Sequence, residues 1–250
     1  MSEEAKKTIN QHFFPELYCI NYEKLDEAYG IQMPAFKNPL MEAVCANNMK
    51  DAYFYIKTFE KDGILEHSDP AMRNETPLVE AIFRHYNQMA FFLMQMGANP
   101  DNRAKGYFSP LEAAICANNS EMIQVLMPVA DLKQQNLEGD HPLLFACLKG
   151  NTSTVCEILK REPSVVNQTN TLGLSPLMVA AHQGYEDIVR ILLGYKAHPA
   201  YMLHGKTAAD YAKSNGHMKL ASKLRTVSIS THTDPFRLKR DSLQTAHARC

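Results

Sequence analysis

Six cysteines and ten histidines are the side chains of this 250-residue sequence with the widest chemical reach, as nucleophiles, general bases or metal ligands. Their spacing argues against each use. The sequence has no Cys-x-x-Cys pair and no His-Glu-x-x-His stretch, so it offers no zinc-type ligand set. Gly205-Lys206-Thr207 resembles the end of a phosphate-binding loop, but position 200, where such a loop needs its first glycine, is alanine. Lys239-Arg240-Asp241-Ser242 places basic residues upstream of a serine, and a phosphate there would sharply reduce the local positive charge. Cys45 and Cys116 open the same phrase, Cys-Ala-Asn-Asn. A thiol and an imidazole act together only within hydrogen-bond reach, about 3 Å. Whether any pair here can meet depends on the elements that carry them.

Those elements repeat. Asn38-Pro39-Leu40, Thr76-Pro77-Leu78, Ser109-Pro110-Leu111, His141-Pro142-Leu143, Ser175-Pro176-Leu177 and the weaker Thr207-Ala208-Ala209 recur with gaps of 38, 33, 32, 34 and 32 residues. Alanine follows in register at 43, 81, 114, 146, 180 and 212. Each part has a physical role. A Ser or Thr hydroxyl caps a helix by accepting a free backbone N–H of the first turn. Proline at the first helical position loses nothing by lacking its N–H. The leucine faces inward, and the small alanine lets two helices approach closely. Two turns on, residues tolerant of left-handed backbone reverse the chain: Asn47, His85, Asn118, Gly150, Gly184 and Gly216. A second apolar helix follows, clearest in Ile188-Val189-Arg190-Ile191-Leu192-Leu193 and Met89-Ala90-Phe91-Phe92-Leu93-Met94.

A unit of about 33 residues with these features resembles the ankyrin repeat family. The fifth unit, Ser175 to Val189, follows the family pattern almost throughout, and the second and third match well. The first and fourth depart from it, with Lys50-Asp51 and Ser153-Thr154 where the family prefers Glu-Ile. The sixth lacks the proline, and its Lys213, Lys219 and Lys223 suit a solvent-facing terminal cap. The resemblance implies an all-α solenoid of stacked helix-turn-helix units with β-turn fingers, about six repeats over residues 37–226. About five extra residues are expected between the first two units, near Glu60 to Asp69. Residues 1–36, with Phe13, Phe14, Leu17, Tyr18 and Ile20, are expected to form a helical cap on the first repeat. Residues 227–250 are expected to be a flexible basic tail.

Stacked repeats lie roughly 8–10 Å apart, the spacing of packed helices. Cys45 and Cys116 are then about two steps apart, beyond disulfide reach. Cys147 and Cys156 fall at buried positions, where cysteine acts as a small hydrophobe. His182 lies two repeats from Cys116, too far for a catalytic pair. The expectation is no catalytic residue, no metal and no cofactor.

The family resemblance also implies where a partner would sit. In ankyrin folds the first helices and the fingers line one concave face. The two residues before each reversal point toward it, and they form two ladders: Cys45, Phe83, Cys116, Leu148, His182, Ser214, and Ala46, Arg84, Ala117, Lys149, Gln183, Asn215. Four of the six rungs of the first ladder are apolar or thiol, where a merely solvated face would favour Glu and Lys. The fingers contribute Tyr107, Phe108, Leu172, Leu174, Tyr201, Met202, Leu203 and His204, the alternative being that Leu174 or Phe108 folds back to seal the stack. The expected partner-binding residues are therefore Phe83, Arg84, Tyr107, Phe108, Cys116, Leu148, Lys149, Leu172, Leu174, His182, Tyr201 and His204. On this reading, replacing Phe83 and Phe108 together would spare the thermal melt and weaken binding.

Composition bounds the remaining classes. A hydrophobic fraction of 45% and a charged fraction of 21% are ordinary for a soluble protein. The formal net charge of −1 gives no reason to expect nucleic acid or a membrane surface. Residues 213–250 carry eight Lys/Arg against two Asp, so a basic end closes an acidic body. The sequence opens without the apolar stretch of a signal peptide. Its scattered cysteines point to reduced thiols in a cytoplasm. The reading is a monomeric, non-catalytic adaptor or scaffold that binds a protein partner, with no small-molecule substrate. The alternative is an effector of an intracellular microbe, using the same face against a host protein in the host cytosol.

Overall fold

Each inner helix begins where its cap and proline require. In the computed structural model, which describes residues 38–59, 63–68, 75–103 and 108–233, the inner helices are α1 (Pro39–Cys45), α3 (Pro77–Phe83), α5 (Pro110–Cys116), α7 (Pro142–Lys149), α9 (Pro176–Gln183) and α11 (Ala208–Ser214). Asn38 accepts from the Leu40 N–H, Thr76 from Val79 and Ser175 from Met178. Ser109 and Glu112 form a full capping box, satisfying two orphan donors reciprocally. His141 departs from these four, since its side chain caps nothing.

All six expected reversal residues have positive φ, from 50° at Asn47 to 86° at Gly216. The outer helices follow: α2 (Met49–Thr58), α4 (Asn87–Gln95), α6 (Ser120–Leu126), α8 (Thr152–Arg161), α10 (Glu186–Gly194) and α12 (Met218–Thr233). The described residues form these twelve helices and two short 3-10 turns, with no strand. An isolated bridge joins Leu203 and Lys206.

The chain divides into two units, Met1–Asp131 and Leu132–Cys250. In the first, α1, α3 and α5 pack side by side, each against its own outer helix. Leu40, Leu78, Ile82, Leu111 and Ile115 form that core with Met89, Leu93, Met122 and Leu126. In the second, α7, α9 and α11 do the same, with Leu143, Leu177, Ile158, Leu159, Ile188, Leu192 and Leu224 inside. The register alanines 81, 114, 146, 180 and 212 are all fully buried, so the close approach they permit is used. Each fully buried aliphatic side chain contributes roughly 1.5–3 kcal/mol.

The extra residues of the first unit include a 3-10 turn, Ile64–Glu66, anchored by buried Ile64. Its Glu66 carboxylate accepts from the Asn99 N–H at 2.6 Å. A second 3-10 turn, Pro163–Asn167, follows α8 and buries Val165 and Val166. The last helix runs to Thr233, past the boundary expected at residue 226. Nothing in Val227–Thr233 breaks a helix, and the first strong stop in the sequence is Asp234-Pro235. The expected N-terminal cap, the remainder of the tail and Lys239-Arg240-Asp241-Ser242 lie outside the described residues.

Candidate partner-binding surface

In the first unit, the C-terminal end of α3 presents Phe83 and Arg84, both half-buried. The Phe83 ring meets Phe108 edge-on, with centroids 5.1 Å apart and planes at 79°, a favoured aromatic geometry. Arg84 Nε contacts Glu80 Oε1 at 2.5 Å, and the Cys45 thiol reaches the same oxygen at 3.9 Å. Burial opposes the Arg84 charge. The hydrogen bond and attraction of Glu80 outweigh it and hold the guanidinium above its ordinary value.

Arg103 forks onto Glu112 through Nη1–Oε2 at 2.5 Å and Nη2–Oε1 at 2.8 Å, a two-point geometry particular to arginine. Glu112 is fully buried, and burial pushes its carboxyl pKa up against the opposing pull of Arg103 and Ser109. Tyr107 lies outside the described residues.

In the second unit, Leu148 and Lys149 end α7, and His182 lies near the end of α9, all half-buried. Burial lowers the His182 pKa, reinforced by the charge of His217 and opposed by a backbone hydrogen bond at Tyr211. Neighbouring fingers are tied backbone to backbone: the Thr171 N–H and hydroxyl both donate to Glu138 O, at 2.8 and 2.7 Å. A Cβ on Gly139 would stand 2.6 Å from Thr171 N, so only glycine permits this approach. Leu172 is half-buried, and the Tyr201 hydroxyl donates to Gly173 O at 3.1 Å. His204 and Gly205, both with positive φ, turn a tight hairpin closed by Leu203 and Lys206. Gly205-Lys206-Thr207 is thus a finger tip, and the Thr207 N–H and hydroxyl are held by Asp210 Oδ2.

Three expected contact residues lie inside instead: Phe108 at 3% exposure, Cys116 at 5% and Leu174 at 1%. The finger ends turn back and seal the helices, because these apolar side chains gain more from the interior than from water. Replacing Phe108 therefore cannot spare stability, contrary to the expectation for the double alanine. Phe83, Arg84, Leu148, Lys149, Leu172, His182, Tyr201 and His204 all keep some exposed surface. Sequence reading missed Leu137, which is 97% exposed at the turn Asn136–Gly139. An apolar residue amid turn-forming Asn, Glu and Gly was its only signal. Met202, beside Tyr201, is 62% exposed.

The chemically capable residues are placed for structure. Cys45, Cys116 and Cys147 are buried thiols, and burial drives the Cys147 thiol far above its ordinary pKa, away from reactivity. Cys156 is disulfide-bonded, a departure from the expectation of reduced thiols. No group of three metal-ligating side chains occurs among the described residues. None of their helices is long and apolar enough to cross a membrane.

A family model described as "Ankyrin repeats (3 copies)" matches residues 111–201 and, in overlapping register, 143–232. The chain is an ankyrin-repeat protein. It is similar to human transient receptor potential cation channel subfamily A member 1, 28% identical over 156 residues, 58% of this chain and 14% of the channel. It is equally similar, 28% over 139 residues, to the ankyrin repeat protein YahD of Escherichia coli K12, covering 53% of this chain and 69% of YahD. Ankyrin repeat and SAM domain-containing protein 6 of Danio rerio is 30% identical over 107 residues, 42% of this chain and 14% of that protein. This chain thus spans only a small part of the channel and of the SAM-domain protein. Ankyrin repeats make it a protein-interaction module.

Proposed function

We propose that this ankyrin-repeat protein is a non-catalytic adaptor or scaffold that holds a protein partner on the ends of its inner helices and on its fingers. The observation that carries this reading is the apolar finger surface of the second unit. Leu137, Met202 and Tyr201 are exposed to 97%, 62% and 38%, although finger tips are turns that polar residues would serve equally well. Burying one such side chain in an interface is worth roughly 1.5–3 kcal/mol. Half-buried Leu172 continues the surface, and Lys149 and His182 add polar groups on the inner helices. In the first unit Phe83 and Arg84 offer the aromatic and arginine side chains that dominate interface energies, with Phe108 and Glu80 fixing their orientation.

The test is capture of cytosolic proteins by the wild-type chain and by a Leu137→Ser/Met202→Ser variant. Both side chains are exposed, so the thermal melt should not change. A protein retained by the wild type and lost by the variant supports the reading. Equal retention by both moves the binding site elsewhere.

A further inference from the structure

The outer helix of the first repeat differs from its counterparts. Among the described residues, α6 and α8 carry no exposed large apolar side chain, and α12 carries only Met218 at its start. In contrast, α2 carries Met49, Tyr53 and Phe54, exposed to 39%, 50% and 62%, and Phe59 follows its end at 36%. The other side of α2 already packs on its own repeat through Ala52 and Ile56. Met49 and Tyr53 stand four residues apart, so they form one row along the helix. Tyr53 lies 6.4 Å from Phe92 of α4 and Phe54 lies 5.6 Å from Tyr55, centroid to centroid, which extends the aromatics into one patch. A helix apolar on two sides is the kind that lies between two layers, and the described residues supply only one.

The chain itself carries a candidate for the second layer. Residues 1–37 lead directly into Asn38, the cap of α1. They contain Phe13, Phe14, Leu17 and Tyr18, an apolar cluster on both sides of Pro15, which opens a helix more readily than it continues one. Covalent attachment at the first repeat gives this segment an effective concentration of order mM at the neighbouring α2, which a separate partner or a second copy would have to exceed. We infer that the segment carrying Phe13, Phe14, Leu17 and Tyr18 docks on the Met49–Tyr53–Phe54 face of α2. It covers the outer surface of the first repeat and leaves the inner helices and fingers open. This inference is independent of the partner-binding reading.

The chain contains no tryptophan, so Phe54→Trp in the full-length protein introduces a single fluorescent reporter at the patch. The expected indole is blue-shifted and shielded from acrylamide. Adding Phe14→Asp and Leu17→Asp should shift its emission to the red and raise quenching severalfold, with the helical signal of the repeats retained. The reciprocal pair, Leu17→Trp with and without Tyr53→Asp and Phe54→Asp, should behave alike and guards against misfolding of either variant. An indole at position 54 that is solvent-exposed from the outset overturns the inference. So does shielding that survives the Asp substitutions, or shielding that is lost on dilution, which would assign the patch to a second copy.

Discussion

His141 occupies the cap position that serine or threonine fills in repeats two, three and five. It is fully buried, with Nε2 3.2 Å from Gln168 O and no hydrogen-bond partner for Nδ1 among the described residues. Burial drives its pKa down from 6.5 to about 4, against weaker support from Gln168 and Asp140. A histidine whose folded pKa is depressed favours the neutral form in the fold. Between pH 6.5 and 4 the unfolded chain takes up a proton that the folded chain refuses, so stability falls as pH falls through that window and levels off below it. At 1.36 kcal/mol per pKa unit the full effect is roughly 3 kcal/mol, and about 2 kcal/mol of it should be lost by pH 5. His141→Ser removes the titrating group and restores a hydroxyl cap. Urea unfolding of both proteins between pH 7.5 and 4 should give curves that diverge on acidification, the wild type losing stability faster by these amounts. Other titrating groups are common to the two proteins and cancel in the difference. Parallel curves, or an imidazole signal of His141 that titrates near 6.5, would refute the reasoning.

Two other perturbations separate contacts that look alike in the sequence. Phe108→Ala should cost roughly 3–5 kcal/mol in urea unfolding, as for a buried aromatic ring, while half-buried Phe83→Ala should cost clearly less. Equal small losses would mean that Phe108 is not interior. Gly150→Ala and Gly216→Ala both place a Cβ at positive φ, 71° and 86°, a strain of roughly 1–2 kcal/mol each. At Gly150 that Cβ would also stand 2.7 Å from the Tyr185 ring, whereas Gly216 faces open space. Gly150→Ala should therefore be the more destabilising, and Gly150→Ala/Tyr185→Ala should recover the difference.

The repeats were legible because the requirements that define them are local. A cap needs a side-chain acceptor next to the first turn, proline tolerates that turn, and a reversal needs a residue that accepts positive φ. Asn38, Thr76, Ser109 and Ser175 cap as read, and all six reversal residues adopt the expected backbone. His141 could be assigned to a cap position by register and, lacking a side-chain oxygen, does not cap, but its contact with Gln168 O, 27 residues away, could not be read. The end of α12 was read too early because polar Ser and Thr residues suggested a tail, whereas nothing before Asp234-Pro235 stops a helix.

By itself the sequence determined the repeat, the start of each inner helix and the family, since each depends on residues within a few positions of one another. Only tertiary structure decided which finger side chains face inward. Phe108 and Leu174 stand immediately before their caps and are sealed, whereas Leu137 and Met202 stand four and five residues before theirs and are bare. Burial is set by what the adjacent repeat leaves uncovered: the Phe83 ring closes over Phe108. Distance from the cap separates the two pairs within a few residues, but the surface that covers the sealed pair is supplied only when the repeats stack.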